Sequence, residues 1–449
     1  MKKFRDLNPG LKSRIGYEID FEDYNLEELT QITLNLNQPK FRAKQLYNAI
    51  LNGKNFGDNT VLPQQFLTDL TNANYQMQAV KIHKTVTSHD KSVKFLFKLN
   101  DNNLIEGVLM KHSYGNTLCV STQVGCKMNC SFCASGLSFV KNLTAGEILG
   151  QVVAVNTWLG GSVTDRKLTN LVLMGSGEPL DNFDNVVKFL KLVTDDGGFN
   201  FSVRNITLST CGIPSKIEKL ADTGLNINLA ISLHAPNNEI RKQIMPVAKS
   251  FSIESVLESA KYYTTITNRK IYIEYALISG VNSETKHARE LAELLAELNP
   301  KVNLIPLNEV KERGLYGVSE AKTNAFLREL KKFGISATVR KSLGDDVDGA
   351  CGQLRNKELK QNSTKIVEKQ KNSTTLQTSK NASNKAKNTG FNENKNKNYA
   401  KTKLNQKNNK SFLSKSNKTS KSLNKNSSQN KTKNTNKNVT KSSRSKKSF

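Results

Sequence analysis

Cys126-Lys-Met-Asn-Cys130-Ser-Phe-Cys133 places three thiols within eight residues, spaced C-x3-C-x2-C. Thiolate sulfur is a soft ligand, suited to zinc or to an iron–sulfur cluster. A structural zinc site takes four ligands, commonly as paired C-x2-C units, and neither a second pair nor a histidine pair follows here. A cubane [4Fe–4S] cluster is ordinarily held by four thiolates. Three would leave one iron open to another ligand. Zinc completed by Cys119, or a chance grouping of cysteines, stands as the alternative.

Upstream of the cysteines the hydrophobic period is two. Val80-Lys-Ile-His-Lys-Thr-Val-Thr, Ser92-Val-Lys-Phe-Leu-Phe-Lys-Leu and Leu104-Ile-Glu-Gly-Val-Leu-Met all alternate, with Asp101-Asn-Asn103 as a turn. They predict a small antiparallel sheet leading into Thr117-Leu-Cys-Val-Ser, the strand before the cysteine loop. Glu106 is the one acid inside its strand, and the pattern alone makes it an ordinary outward-facing carboxylate. Residues 1–75 read as three helices. Asn25 caps the first, the second runs from Phe41 and stops near Gly53, and the third carries Pro63 near its first turn. Lys40, Arg42 and Lys44 could touch phosphate, although a solvated helix face is the plainer reading.

Downstream, strand and helix patterns alternate from about 117 to 345. Strands are expected at Asn170-Leu-Val-Leu-Met, Asn205-Ile-Thr-Leu-Ser, Asn226-Ile-Asn-Leu-Ala-Ile-Ser, Lys270-Ile-Tyr-Ile-Glu-Tyr, Val302-Asn-Leu-Ile-Pro and Ser336-Ala-Thr-Val-Arg. Thr144 with Glu147 forms a capping box ahead of one intervening helix. Repeated β–α units imply a parallel sheet, and about six strands imply an open partial barrel. Polar residues cluster just past the strands: Gly175-Ser-Gly177-Glu178-Pro, Ser209-Thr-Cys-Gly, Ser232-Leu-His234-Ala-Pro and Asn308. Each alone reads as a turn; together they predict a shared ligand pocket. Cys351 lies in a polar, glycine-flanked loop, which favours a reactive thiol over a packed one. Cys211 reads as packing.

The 449 residues allow two or three domains. Six cysteines, half of them in one cluster, do not form a secreted disulfide framework. No apolar signal core follows the first residues and no apolar run approaches the ~20 residues of a membrane span. The expectation is a soluble cytoplasmic protein with no membrane partner. From residue 357 onward there are 25 Lys or Arg against 3 Asp or Glu, a net +22 of the total +28, so the rest carries only +6. That Lys/Asn/Ser-rich tail buries too little apolar surface to order itself. It is either a solvated appendage or a polycation that binds RNA without sequence choice.

Three cysteines so spaced resemble the cluster motif of radical S-adenosylmethionine (SAM) enzymes. Cys119-Val-Ser-Thr-Gln-Val-Gly-Cys126, Met174-Gly-Ser-Gly-Glu-Pro-Leu, Leu208-Ser-Thr, Ser232-Leu-His-Ala-Pro-Asn, Val339-Arg-Lys, Gly344-Asp-Asp and Cys351-Gly-Gln-Leu make the chain similar to the RlmN family of RNA adenine-C2 methyltransferases. The likeness covers most of residues 20–355, and the tail has no counterpart in it. It implies a helical accessory domain over 1–78, a β extension over 79–116, a radical SAM partial (βα)6 barrel over 117–355 and a disordered tail over 356–449.

The resemblance also implies roles. Cys126, Cys130 and Cys133 match the [4Fe–4S] ligands; Gly177, Glu178, Ser209, Ser232, Leu233, His234 and Asn308 match SAM-binding positions. Cys351 matches the cysteine that takes a methyl group from one SAM, a second SAM being the radical source. The S-methyl carbon radical then adds to C2 of adenine. Cys119 matches the thiol that resolves the RNA adduct through a disulfide with Cys351, and Glu106 a proton acceptor. The implied partners are 23S rRNA at the peptidyl transferase centre, tRNA at the adenosine 3′ of the anticodon, and an unidentified electron donor, with the enzyme a monomer. After Asn308 this chain has Glu-Val-Lys-Glu-Arg-Gly-Leu-Tyr, where the family more often carries a Pro/Gly-containing stretch. A Cfr-type C8 methyltransferase is the near alternative, and a zinc- or RNA-binding protein the remote one.

Overall fold

Period-two and period-3.6 patterns resolve into the expected elements, with one change in how they share a core. The computed structural model describes residues 19–58, 61–307, 313–340 and 354–358. Strand β1 (Ile19–Asp20) pairs in parallel with β2 (Tyr75–Gln76), and between them run α1 (Leu26–Asn35), α2 (Phe41–Leu51) and α3 (Gln64–Asn72). Asn25 Oδ1 accepts the Glu28 N–H at 2.8 Å and Glu28 returns the bond at 2.9 Å, satisfying amides that a helix start leaves unpaired. Lys40 and Lys44 are exposed, and Arg42 donates to Gln45 Oε1 at 2.7 Å, as a solvated face would. The buried side chains of these helices, such as Leu46, Tyr47 and Phe66, belong to one continuous apolar core with the barrel. Three short helices bury too little surface to hold a core alone.

The antiparallel strands follow as β3 (Val80–Thr87), β4 (Val93–Leu99), β5 (Leu104–His112) and β6 (Gly115–Cys119). Next, β7 (Gln123–Gly125) and β8 (Phe139–Asn142) pair antiparallel and bracket the cysteine loop. The chain then alternates: α4 (Ala145–Trp158), β9 (Asn170–Leu173), α5 (Phe183–Thr194), β10 (Ile206–Thr210), α6 (Pro214–Ala221) and β11 (Asn228–Ser232). It continues through α7 (Asn238–Ile244), α8 (Ile253–Thr267), β12 (Tyr272–Leu277), α9 (Thr285–Leu295), β13 (Lys301–Pro306), α10 (Glu320–Lys332) and β14 (Ser336–Val339). The Thr144–Glu147 capping box opens α4 as its sequence predicts.

All the long strands join one sheet, in the order β14-β13-β12-β11-β10-β9-β6-β5-β4-β3. Strand β6 is the seam: one edge pairs antiparallel with β5, the other in parallel with β9. The β extension is therefore a continuation of the barrel sheet, and seven described strands, β6 and β9 to β14, run parallel. Residues 354–358 form a helical turn whose Leu354 packs against Leu96 and Leu104. Asn308, Cys351 and the tail beyond 358 lie outside the described residues. No described helix is long and apolar enough to cross a membrane.

Candidate active site

A parallel sheet places its loops at the strands' C-terminal ends, and there one cavity of about 380 Å³ opens. Cys126, Cys130, Cys133 and Cys119 line it, together with Gly177, Glu178, Ser209, Ser232 and His234. Leu233 does not line it. Its side chain is buried in the core between two lining neighbours, and its carbonyl accepts from Arg241 Nε at 3.3 Å.

The cysteine loop is pinned by backbone contacts. The Cys126 N–H donates to Ser138 O at 2.9 Å and the Ser131 N–H to Ile244 O at 2.9 Å. Gly125 has φ 80°, and a Cβ there would collide with the Ser138 carbonyl. Burial pushes the Cys126 thiol up to about 12 and raises Cys130 too, each neighbouring anion adding to the cost. Three such thiolates persist together only against a cationic group, and their soft sulfur set fits an iron–sulfur cluster. Among the described residues, no three His, Cys, Asp or Glu side chains are placed to hold a single metal ion. Arg241, fully buried behind the loop, donates to Cys211 O at 2.5 Å, and its charge draws Cys130 downward.

Glu178 is held rigidly. Its carboxylate accepts from Thr210 Oγ1 at 2.7 Å, Cys211 N at 2.7 Å and Leu180 N at 3.0 Å. Burial raises its pKa against the pull of those donors. The preceding Gly177, at φ 112°, lies so close to Gln123 that a Cβ would strike its backbone nitrogen. Ser209 Oγ and Ser232 Oγ sit 3.3 Å apart. His234 adopts φ 55°, and Asn282 Nδ2 fixes its carbonyl at 2.7 Å. Burial, aided by Arg241, lowers His234 to about 3, so the ring is neutral. Because Nδ1 accepts the Ala276 N–H at 2.9 Å, the proton sits on Nε2.

Glu106 departs from the outward-facing position that strand alternation gave it. It is 3% exposed, because the turn at 354–358 covers its strand. Lys94 pairs with it at 3.4 Å and the Arg355 N–H donates to its Oε1. It lies off the cavity lining, which Val108 and Met110 of the same strand reach.

Sequence reading missed three contributors. Cys211, read as packing, is packed at 5% exposure but also lines the cavity beside Cys130. Glu274 and Arg340 line it as well. An acid within the apolar run Ile271-Tyr-Ile-Glu274-Tyr was a signal for the second; Cys211 and Arg340 lay inside the marked stretches Ser209-Thr-Cys-Gly and Val339-Arg-Lys without being singled out.

Residues 120–295 match the Radical SAM superfamily. The chain is 46% identical over 345 residues to a probable dual-specificity RNA methyltransferase RlmN of Alkaliphilus oremlandii, covering 76% of this chain and 99% of that one. It is 44% identical over 350 residues to the like-named protein of Clostridium tetani, covering 78% and 99%. Among solved structures it is similar to a radical SAM methyltransferase from Sphaerobacter thermophilus, with a TM-score of 0.71, 36% identity, and 75% and 98% of the two chains covered.

Proposed function

This chain belongs to the RlmN family of dual-specificity RNA methyltransferases within the radical SAM superfamily, and from that premise we propose that it methylates C2 of adenosine in 23S rRNA and tRNA. The substrate positions are the peptidyl transferase centre and the adenosine 3′ of the anticodon. The observation that carries the reading is the convergence of Cys126, Cys130, Cys133 and Cys119 on one cavity with Gly177, Glu178, Ser209, Ser232 and His234.

Held by the three cysteines, a [4Fe–4S] cluster with SAM supplies one-electron chemistry able to abstract hydrogen from carbon. The chain's own groups do the rest. Glu178, fixed by three donors, and the neutral His234, with its proton on Nε2, orient SAM; the resemblance adds Asn308, which lies outside the described residues. Cys351 carries the methyl group to be transferred. Adenine C2 is electrophilic and has no acidic proton, so direct transfer of a methyl cation fails there, whereas attack by a carbon radical succeeds. Cys119 would then release the RNA by attacking the Cys351 sulfur: the S–S bond forms, the bond from that sulfur to the methylene on C2 breaks, and the methylene keeps the electron pair and takes a proton to become the methyl group. Addition of the radical makes the C2 hydrogen removable as a proton, and the resemblance gives its acceptance to Glu106, which lies off the cavity lining with Lys94 as its counter-charge.

Chain reach supports the pairing of the two thiols. Arg355 is anchored on Glu106, and four extended residues span at most about 14 Å. Cys119 lies opposite Val108, two positions and so about 7 Å along the strand from Glu106.

The test uses the cluster-loaded chain and both RNAs, with nucleosides resolved by mass spectrometry. The wild type yields 2-methyladenosine; 8-methyladenosine instead would move the assignment to C8. Cys119→Ala is expected to accumulate a covalent protein–RNA adduct, and normal RNA release would remove its resolving role. Cys351→Ala is expected to abolish methylation with cluster iron intact.

A further inference from the structure

One wall of the cavity carries two charged groups whose hydrogen-bonding capacity the protein leaves partly unused. The register Ser232↔Glu274↔Asn303↔Thr338 sets a row of polar side chains across β11 to β14. Thr338 Oγ1 donates to Asn303 Oδ1 at 3.0 Å, and Asn303 Nδ2 donates to Glu274 Oε1 at 2.8 Å. That chain fixes the Glu274 carboxyl and uses one of its oxygens. The other, Oε2, is buried without a hydrogen-bond partner in a residue only 4% exposed. Leaving such an oxygen dry and unpaired costs roughly 1–3 kcal/mol. Arg340 NH1 stands 3.9 Å from it, close enough for charge attraction and too far for a hydrogen bond. Among the described residues, the Arg340 guanidinium donates only to the Met174 sulfur, also at 3.9 Å. Both groups line the cavity that holds the cysteines.

An acceptor and a donor set side by side, each with capacity to spare, match a ligand edge with a donor next to an acceptor. On adenine the exocyclic N6–H lies between two ring acceptors, N1 and N7, and the N7 side is the one that leaves C2 free. Guanine offers two acceptors there, O6 and N7, and would set O6 against the carboxylate. The N6/N7 edge also lies across the purine from C2, so reading it leaves C2 turned toward the opposite wall. We propose that Glu274 and Arg340 form a subsite that reads this edge of adenine, Glu274 accepting the N6–H and Arg340 donating to N7. The inference rests on the reading that this cavity takes adenosine-bearing ligands. Two such ligands exist, the substrate nucleotide and the adenosyl group of SAM, and both carry the edge.

The experiment compares wild type, Glu274→Gln and Glu274→Ala, each cluster-loaded and checked for iron content and circular dichroism. Glu274→Gln is isosteric and guards against a folding failure of the alanine variant. In one arm, the RNA carries adenosine or purine riboside, which lacks the 6-amino group, at the target position, and C2 methylation gives the kcat/KM ratio. In the other, S-adenosylhomocysteine and S-inosylhomocysteine are compared for binding. Wild type should discriminate by about tenfold or more in one arm, and Glu274→Ala should bring that ratio to about one. Collapse in the RNA arm assigns the subsite to the substrate; collapse in the homocysteine arm assigns it to the cofactor. Ratios unchanged in both arms by both variants would overturn the proposal. Should the wild type methylate no RNA at C2, the function fails; the homocysteine arm still decides this subsite.

Discussion

Two of the regions that bury carboxylates do so in different company. In the cavity Glu178 is surrounded by donors, Thr210 Oγ1 and two backbone N–H groups. Where the N-terminal helices meet the barrel, Asp20, Glu22, Asp23 and Glu147 crowd together. Glu22 is held by the Ala79 N–H, Asp23 accepts the Gly146 N–H at 2.7 Å, and Asn100 donates to Asp20 at 2.8 Å. Lys141, 2.7 Å from Glu147, is the main counter-charge. Burial raises Glu178, Glu22 and Asp20 alike, and at the junction neighbouring acids add to it. A raised carboxyl pKa therefore marks burial, not chemistry. What separates the two regions is the soft sulfur set: the junction has its own cavity of about 290 Å³, lined by Glu22 but by no cysteine, whereas four cysteines line the cavity beside Glu178 along with Cys211.

The largest expected effect breaks the comparison on the cavity side. Glu178→Ala orphans three donors at once, which should cost about 2–4 kcal/mol in urea unfolding. It should also weaken S-adenosylhomocysteine binding by ~100-fold, because the oriented carboxylate is gone. Binding retained within a few-fold would make Glu178 a purely structural group, no different in kind from Glu22.

The junction sharpens the comparison through pH. Asp20 is pushed up to about 7, chiefly by burial and then by Glu147 and Asp23. An acid with a folded pKa above its unfolded one holds its proton more tightly when folded. Its contribution is therefore full below about pH 4 and lost as pH rises toward 7. Asp20→Asn removes that titration. The variant should gain on wild type across this window and be more stable by about 2–4 kcal/mol near pH 7.5, with unchanged S-adenosylhomocysteine binding. Parallel stability curves from pH 4 to 8 would mean that Asp20 is solvated in solution.

What could be read from sequence follows the range of each interaction. Asn25 with Glu28 and Thr144 with Glu147 act over three residues, so both caps were visible in the chain. The cysteine spacing and the polar strand ends were visible too, since a strand's end and its loop are contiguous. Everything missed depends on register between distant segments. Glu274 lies beside Ser232 and Asn303 only because β12 pairs with β11 and β13 as it does. Glu106 is buried by a turn some 250 residues later, at 354–358. Arg241 faces the cysteine loop through α7, which no spacing announces. The shared core of helices and barrel is of the same kind: amphipathicity shows that a face is buried, not against what.

The smallest effect concerns charge outside the described residues. Both acidic regions lie in the first 356 residues, while a net +22 of the chain's charge lies beyond residue 356. Lysines in such a segment gain from RNA mainly by releasing condensed counterions, so their contribution falls steeply with salt. Ending the chain after residue 358 keeps Leu354 and Arg355 seated on β5 and removes most of the charge. At low salt RNA affinity should fall several-fold, and the plot of log K against log salt should become shallower by about 0.7 for each phosphate that the tail neutralises. C2 methylation at saturating RNA should stay as it was, because no group lining the described cavity lies beyond that cut. If the slope is unchanged, RNA is held by the ordered chain alone. The tail's charge then has no part in binding.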